Sequence, residues 1–222
     1  MDVGAVVPIQ RYALGIGNRV VSINTVNRMV DAIKKGSNDQ FVRDWAEHMV
    51  ENVPPRDHYA EAKAIFDFLQ SNTRYANDPR GLEYFKTPNL VLKLISAGRK
   101  PSLDCDDYAV TGLSLLRSLG YRTGIRIAGY GADKEFTHVY GMVNIDGKWV
   151  SFDPVRLEYG FGWEAPGATV RRDTLIDEGP AIQGDGIGNT AATTAGLGLG
   201  ALFFLGWIYL MTVSSGKRRR YA

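Results

Sequence analysis

The stretch Asp104-Cys105-Asp106-Asp107-Tyr108-Ala109-Val110-Thr111-Gly112-Leu113-Ser114-Leu115-Leu116-Arg117-Ser118-Leu119-Gly120 decides how this chain is read. Loop-like Pro101-Ser102-Leu103 precedes it. Asp104 is a good N-cap, and Asp107 stands three residues on, where a capping-box acid belongs. From Cys105 to Leu119 apolar residues occupy nearly every side, the pattern of a helix in the middle of a domain, and Gly120 suits the C′ position. The cysteine therefore falls in the first turn of a buried helix. Unpaired N–H groups and the helix dipole favour an anion there, and thiols at helix starts beside a protonated His have pKa values lowered to roughly 3.5–7.5. The flanking acids oppose that effect unless they point into solvent or cap the backbone.

Downstream of this helix three strand-like segments follow: Tyr121 to Tyr130, Phe136 to Ile145, and Lys148 to Asp153. Asp146-Gly147 is a strong signal for a two-residue hairpin. That turn pairs Ile145 with Lys148 and, counting back, Tyr140 with Asp153. His138 lies on the same face as Asp153, in an outward-pointing set with Tyr140, Met142 and Asn144. The two are one diagonal step apart, about 7–8 Å at the backbone, within reach of an imidazole and a carboxylate. Register alone thus brings a base and its orienting acid together.

Upstream the chain is helical. Val26, Met29, Val30 and Ile33 keep helical spacing, with Asn24 or Thr25 available as a cap; Phe41, Val42, Trp45 and Met49 repeat it until Pro54-Pro55; Ala62, Ile65, Phe68 and Leu69 make a third helix. The segment Arg74 to Pro88, with Asp78-Pro79-Arg80-Gly81, reads as a loop, and a short helix from Asn89 to Ala97 ends at Gly98. Residues 1–24 read as an N-terminal arm and 25–172 as the folded domain. From Asp173 onward the chain loses its core. Residues 173–190 are a Gly-rich linker, and 191–213 are apolar and long enough to cross a bilayer. The tail 214–222 carries Lys217, Arg218, Arg219 and Arg220, like a stop signal. The N-terminus lacks the basic region of a secretory signal.

Composition narrows the function. The 222 residues are 45% hydrophobic and 23% charged, with a formal net charge of +2, near the globular average. Sequence-specific nucleic-acid binding, which needs a basic stripe, is not expected. One cysteine allows no internal disulfide. A lone Cys is commonly a buried small hydrophobe, but the helix start, His138 and Asp153 together argue for a nucleophile, a base and an orienter. The backbone N–H of Cys105 is the expected oxyanion donor. Tyr84 and Asn89, from the loop before the nucleophile, are the candidate substrate-binding residues. His48 and His58 have no metal-ligand spacing and read as structural. No metal or cofactor is expected, since Asp104, Asp106 and Asp107 do not follow a calcium-loop spacing.

Four motifs carry a family resemblance: Asp104 to Ala109, Leu115 to Arg122, Thr137-His138-Val139-Tyr140, and Gly147 to Pro154. Together they resemble the transglutaminase-like superfamily of papain-like cysteine enzymes over roughly residues 25 to 160. The Tyr75 to Pro88 stretch is similar to versions common among phage and prophage proteins. The resemblance implies an α+β fold: a papain-like or transglutaminase-like core, a helical N-terminal part and an antiparallel sheet, here with one C-terminal transmembrane helix. It implies a Cys105-His138-Asp153 triad, with Cys105 on the helix start and the others on two successive strands. The superfamily spans transamidases, peptidases, amidases and inactive members.

The expected function is a membrane-anchored cysteine hydrolase or acyltransferase that attacks an amide in a protein or cell-wall peptide through a thioester. The alternative is a catalytically silent component of a virion membrane or cell envelope. The acidic linker side and basic far side place the tail in the cytoplasm by the positive-inside rule, whereas a C-terminal anchor without a signal ordinarily leaves the enzyme there. A virion with an internal membrane reconciles the two.

Overall fold

In the computed structural model the described residues are 7–8, 23–77 and 84–176. The buried helix forms as its sequence demands. α5 (Cys105–Ser118) is buried at every residue but Arg117, and Gly120 follows with φ +94°. Four helices surround it. α1 (Ile23–Ser37), α2 (Gln40–Val50) and α3 (His58–Asn72) put Met29, Ile33, Val42, Ala46, Ile65 and Leu69 into the common core, all fully enclosed. Asp39 caps α2, accepting from the N–H of Phe41 at 2.9 Å, and Asp57 caps α3, accepting from Ala60 at 3.0 Å. α4 (Pro88–Ser96) starts on Thr87, with Pro88 where a missing N–H costs nothing, and Gly98 follows with φ +72°. α1 begins at Ile23, so Asn24 and Thr25 lie inside the helix and not at its cap.

Against α5 lies a four-stranded antiparallel sheet in the order β7-β6-β5-β8, with β5 Thr123–Gly129, β6 His138–Ile145, β7 Lys148–Phe152 and β8 Val170–Leu175. The helix approaches closely because two glycines leave room. A Cβ on Gly112 would lie 2.2 Å from Phe152 Cε1, and one on Gly141 would lie 2.7 Å from Leu113 Cδ2. The hairpin has the expected register, Ile145 opposite Lys148 and Gly141 opposite Phe152, with Asp146 and Gly147 both at positive φ.

Three features depart from the sequence reading. β8 extends the sheet beyond residue 172, and Ile176 after it is buried, so the core does not end at Asp173. The face of β6 that carries Tyr140 and Met142 is covered as well: both are about 2% exposed. The Arg74-to-Pro88 segment also contains two short strands, β2 (Arg74–Tyr75) and β3 (Tyr84–Phe85). β3 pairs antiparallel with β1 (Val7–Pro8), and β2 pairs parallel with β4 (Ser102–Leu103). No helix among the described residues is long and apolar enough to cross a membrane. The segment 191–213 expected to do so lies outside them.

Candidate active site

The chain reaches Cys105 along a constrained path. Arg74 N–H donates to Pro101 O at 3.0 Å and Ala76 N–H to Leu103 O at 2.9 Å, which fixes β4 beside the exit of α3. Asp104 then turns the chain into the helix with a full capping box. Its side chain accepts from Asp107 N–H at 3.3 Å, and the Asp107 side chain accepts from Asp104 N–H at 3.4 Å. Cys105 is the first residue of α5 and is 4% exposed. Below it in the helix, Tyr108 shares a 2.6 Å hydrogen bond with Thr73 Oγ1, a second tie to the end of α3.

The three acids around the cysteine are buried, Asp104 at 1%, Asp106 at 4% and Asp107 at 0% exposure, so none of them is solvated as the sequence reading allowed. Asp104 and Asp107 cap the backbone instead. Asp107 also accepts from the backbone N–H and the Nζ of Lys86, the latter at 2.8 Å. Burial pushes the Asp107 carboxyl up to about 6, Asp104 adds to the rise, and Lys86 holds it back. Burial works to lower the Lys86 ammonium, but Asp107 outweighs it and the net shift is upward.

His138 opens β6, opposite Ala128 of β5. Asp153 directly follows β7, where the hairpin register sets it across from Tyr140. The diagonal contact forms: His138 Nε2 and Asp153 Oδ2 are 2.7 Å apart. In a neutral ring this assigns the proton to Nε2 and the lone pair to Nδ1. His138 is 20% exposed and Asp153 4% at the side chain. The Tyr140 ring stacks on the imidazole, with centroids 5.4 Å apart and planes at 27°. Tyr140 is held in turn, its hydroxyl donating to Glu164 Oε1 at 2.7 Å. Arg126 donates to both Glu164 oxygens at 3.1 Å and forks onto Asp173 of β8 with two bonds of 2.6 Å. The sequence placed Tyr140 on the strand face of His138 but gave it no role at the site, and Glu164, Arg126 and Asp173 were not read as site residues. Stacking beside His138 was legible in the shared strand face, but pairing across 38 or 47 residues of chain was not.

A cavity of about 900 Å³ opens over His138 and Asp153, with Tyr130, Trp163 and Tyr159 on its wall. Tyr159 and Trp163 stack at 3.7 Å with an interplanar angle of 5°, giving a flat aromatic shelf. Cys105, at 4% exposure, does not line this cavity. Tyr84 lines an adjoining cavity of about 550 Å³, not the one over His138. Asn89 does not line either: its amide donates to Asp39 Oδ2 at 2.7 Å and ties α4 to the cap of α2. His58 pairs with Asp146 at 2.7 Å and His48 with Glu51 at 3.2 Å. Among the described residues no three His, Cys, Asp or Glu side chains converge as metal ligands.

Comparison with a family model agrees on the fold. A family model of the transglutaminase-like superfamily matches residues 43–154, half of the chain, spanning Cys105, His138 and Asp153. Comparison by sequence with curated proteins gives no match. Among solved structures, a proposed protease from Parabacteroides distasonis is 12% identical, with a TM-score of 0.47 over 69% of this chain and 30% of its own. A proposed cysteine protease from Cytophaga hutchinsonii is 16% identical, with a TM-score of 0.41 over 74% and 61%. LapG from Legionella pneumophila is 16% identical, with a TM-score of 0.40 over 67% and 81%. The chain thus spans less than two thirds of the first two, and all three likenesses concern the fold alone.

Proposed function

Because the chain belongs to the transglutaminase-like superfamily, we propose that it is a cysteine hydrolase or acyltransferase in which Cys105, His138 and Asp153 act as a catalytic triad. The observation that carries this reading is the 2.7 Å bond between His138 Nε2 and Asp153 Oδ2, on the hairpin beside the helix that Cys105 heads. With Nε2 committed to Asp153, Nδ1 is the nitrogen that takes the thiol proton. The thiolate adds to an amide carbonyl, and the Cys105 backbone N–H donates to the oxygen as it becomes negative. His138 returns its proton to the leaving amine, the C–N bond breaks and a thioester remains. Water or a second amine attacks the thioester, giving the acid or a new amide and restoring the thiol. Asp153 stabilises the imidazolium in both halves. The substrate in this reading is a protein or peptide amide.

The segment 191–213 and the basic residues that follow support membrane anchoring, which confines the substrate to linker reach of a bilayer. The envelope or the internal membrane of a phage virion fits the charge asymmetry of the two flanks. A second reading, a component that keeps the fold without turnover, draws on the 4% exposure of Cys105. One experiment decides between them. A thiol-directed activity probe applied to folded protein between about pH 5 and 9 should label wild type, but not Cys105→Ala, and should label His138→Ala far more slowly. A folded wild type that stays unlabelled throughout that range sinks the catalytic reading.

A further inference from the structure

The cavity over His138 adjoins the 550 Å³ cavity, and the two share Arg74 and Lys100 on their walls. Arg99 and Lys86 complete a run of four cations along the second wall, which carries no Asp or Glu among the described residues. Lys86 is neutralised by Asp107. Arg74, Arg99 and Lys100 are exposed, and no carboxylate of the described residues pairs with them. The acids on the first wall are already spent, Asp153 on His138 and Glu158 on Arg156 at 2.5 Å.

The backbone holds these three charges together. Arg74 pairs with Ser102 in the parallel ribbon, three residues before the nucleophile, and Arg74 N–H donates to Pro101 O. Arg99 is set by the turn that ends α4, where its N–H donates to Leu94 O at 3.0 Å. Lys100 follows directly. Three like charges gathered on a concave wall with no counter-charge among the described residues repel one another, a cost that an anionic ligand would remove. The geometry points to a substrate whose polypeptide carries an acidic segment, seated against Arg74, Arg99 and Lys100 while the adjoining bond reaches His138. This deepens the reading above by giving the substrate a charge class, and it rests on that reading only for the chemistry that follows binding.

Binding of a fluorescein-labelled peptide of alternating Glu and Gly, read by anisotropy on full-length Cys105→Ala protein in neutral detergent, tests it. The Gln-for-Glu peptide is the comparison. At low salt the Glu peptide should bind at least about tenfold more tightly, and the margin should shrink as salt screens it. Arg74→Gln/Arg99→Gln/Lys100→Gln should abolish the margin. Arg218→Gln/Arg219→Gln/Arg220→Gln, which strips the basic tail, should preserve it. Equal affinity for the two peptides, or a margin that follows the tail and not the cleft, overturns the proposal. So does stronger dependence on the cleft cations for anionic vesicles than for the Glu peptide, which would make the wall a lipid contact. Asp78→Asn/Glu83→Gln, in the neighbouring segment, should leave the margin unchanged; a tenfold gain in Glu-peptide affinity would mean that the chain's own acids fill the cleft. Probe labelling of Cys105 in the wild type separates the two readings. Labelling that fails in folded wild type, while the Cys105→Ala protein keeps a Glu margin that the cleft substitutions abolish, removes the catalytic reading and leaves this one standing.

Discussion

Asp153 gives one oxygen to His138 and keeps the other, Oδ1, buried without a hydrogen-bond partner among the described residues. A buried carboxylate with half its acceptors unmet is costly, so its retention fits a charge needed elsewhere, on the imidazolium. Asp153→Asn should therefore slow probe labelling by about 10²–10⁴-fold while leaving the thermal midpoint nearly unchanged. Rapid labelling of a folded Asn variant would remove Asp153 from the mechanism. The acids at the helix start pull the other way. Asp107 has its carboxyl raised from 3.8 to about 6, so near neutral pH it is charged and opposes a thiolate beside it. Asp107→Asn should move the midpoint of Cys105 alkylation to lower pH, read as iodoacetamide rate against pH. The same shift fixes a sign for stability. Between about pH 4 and 6 the native carboxyl holds a proton that the unfolded chain has released, so this group's contribution falls as pH rises through that window.

At the scale of elements, β6 is aligned from both sides. α5 rests on it where Gly141 leaves room for Leu113, as Gly112 does for Phe152 of β7, and the Arg126–Glu164–Tyr140 chain braces the ring stacked on His138. Glu164→Gln should reduce labelling several-fold and shift its pH profile, because the Tyr140 ring loses an anionic anchor; an unchanged pH profile would reduce Glu164 to a purely structural brace. Gly112→Ala drives a methyl into the Phe152 ring and should cost about 1–3 kcal/mol in denaturant unfolding. The helices and the β6–β7 hairpin were legible because their signals are local: apolar spacing around Met29 and Ile33, Asp39 and Asp57 ahead of their helices, and Asp146-Gly147. β8 was not, since Arg171, Arg172 and Asp173 hide its alternation, and those charges make sense only once Asp173 meets Arg126 and Arg171 meets Glu164. The site divides the same way. His138 and Asp153 followed from register, whereas Lys86 on Asp107 and Asn89 on Asp39 depend on how distant helices dock.

For the whole molecule, one of the contacts that join the helical half to the hairpin titrates. His58 at the start of α3 bonds Asp146 in the β6–β7 turn, and that bond raises its pKa. Burial works against the rise; the charge of Asp146, then Glu61 and Asp57, reinforce it. A raised folded pKa gives stability that is complete below the ordinary histidine range and lost as pH climbs through the folded value. Wild type should thus lose more thermal stability than His58→Gln between about pH 6 and 8.5; parallel losses in the two proteins would refute the linkage. The proposed membrane attachment is tested at this scale too. Full-length protein should float with liposomes in a density gradient, and a chain ending at residue 190 should remain at the bottom.

The two glycine notches between α5 and the sheet have a further consequence. Cys105 and His138 stand on different layers, so their separation is not built into either layer but is left over from how closely the layers seat. The site is in effect a feeler gauge for core clearance. Thickening the core by a single methyl, at a position no substrate can reach, would be read first as lost chemistry and only later as lost solubility. Searches for inactive yet abundant variants should therefore look beneath the cavity as well as along its walls.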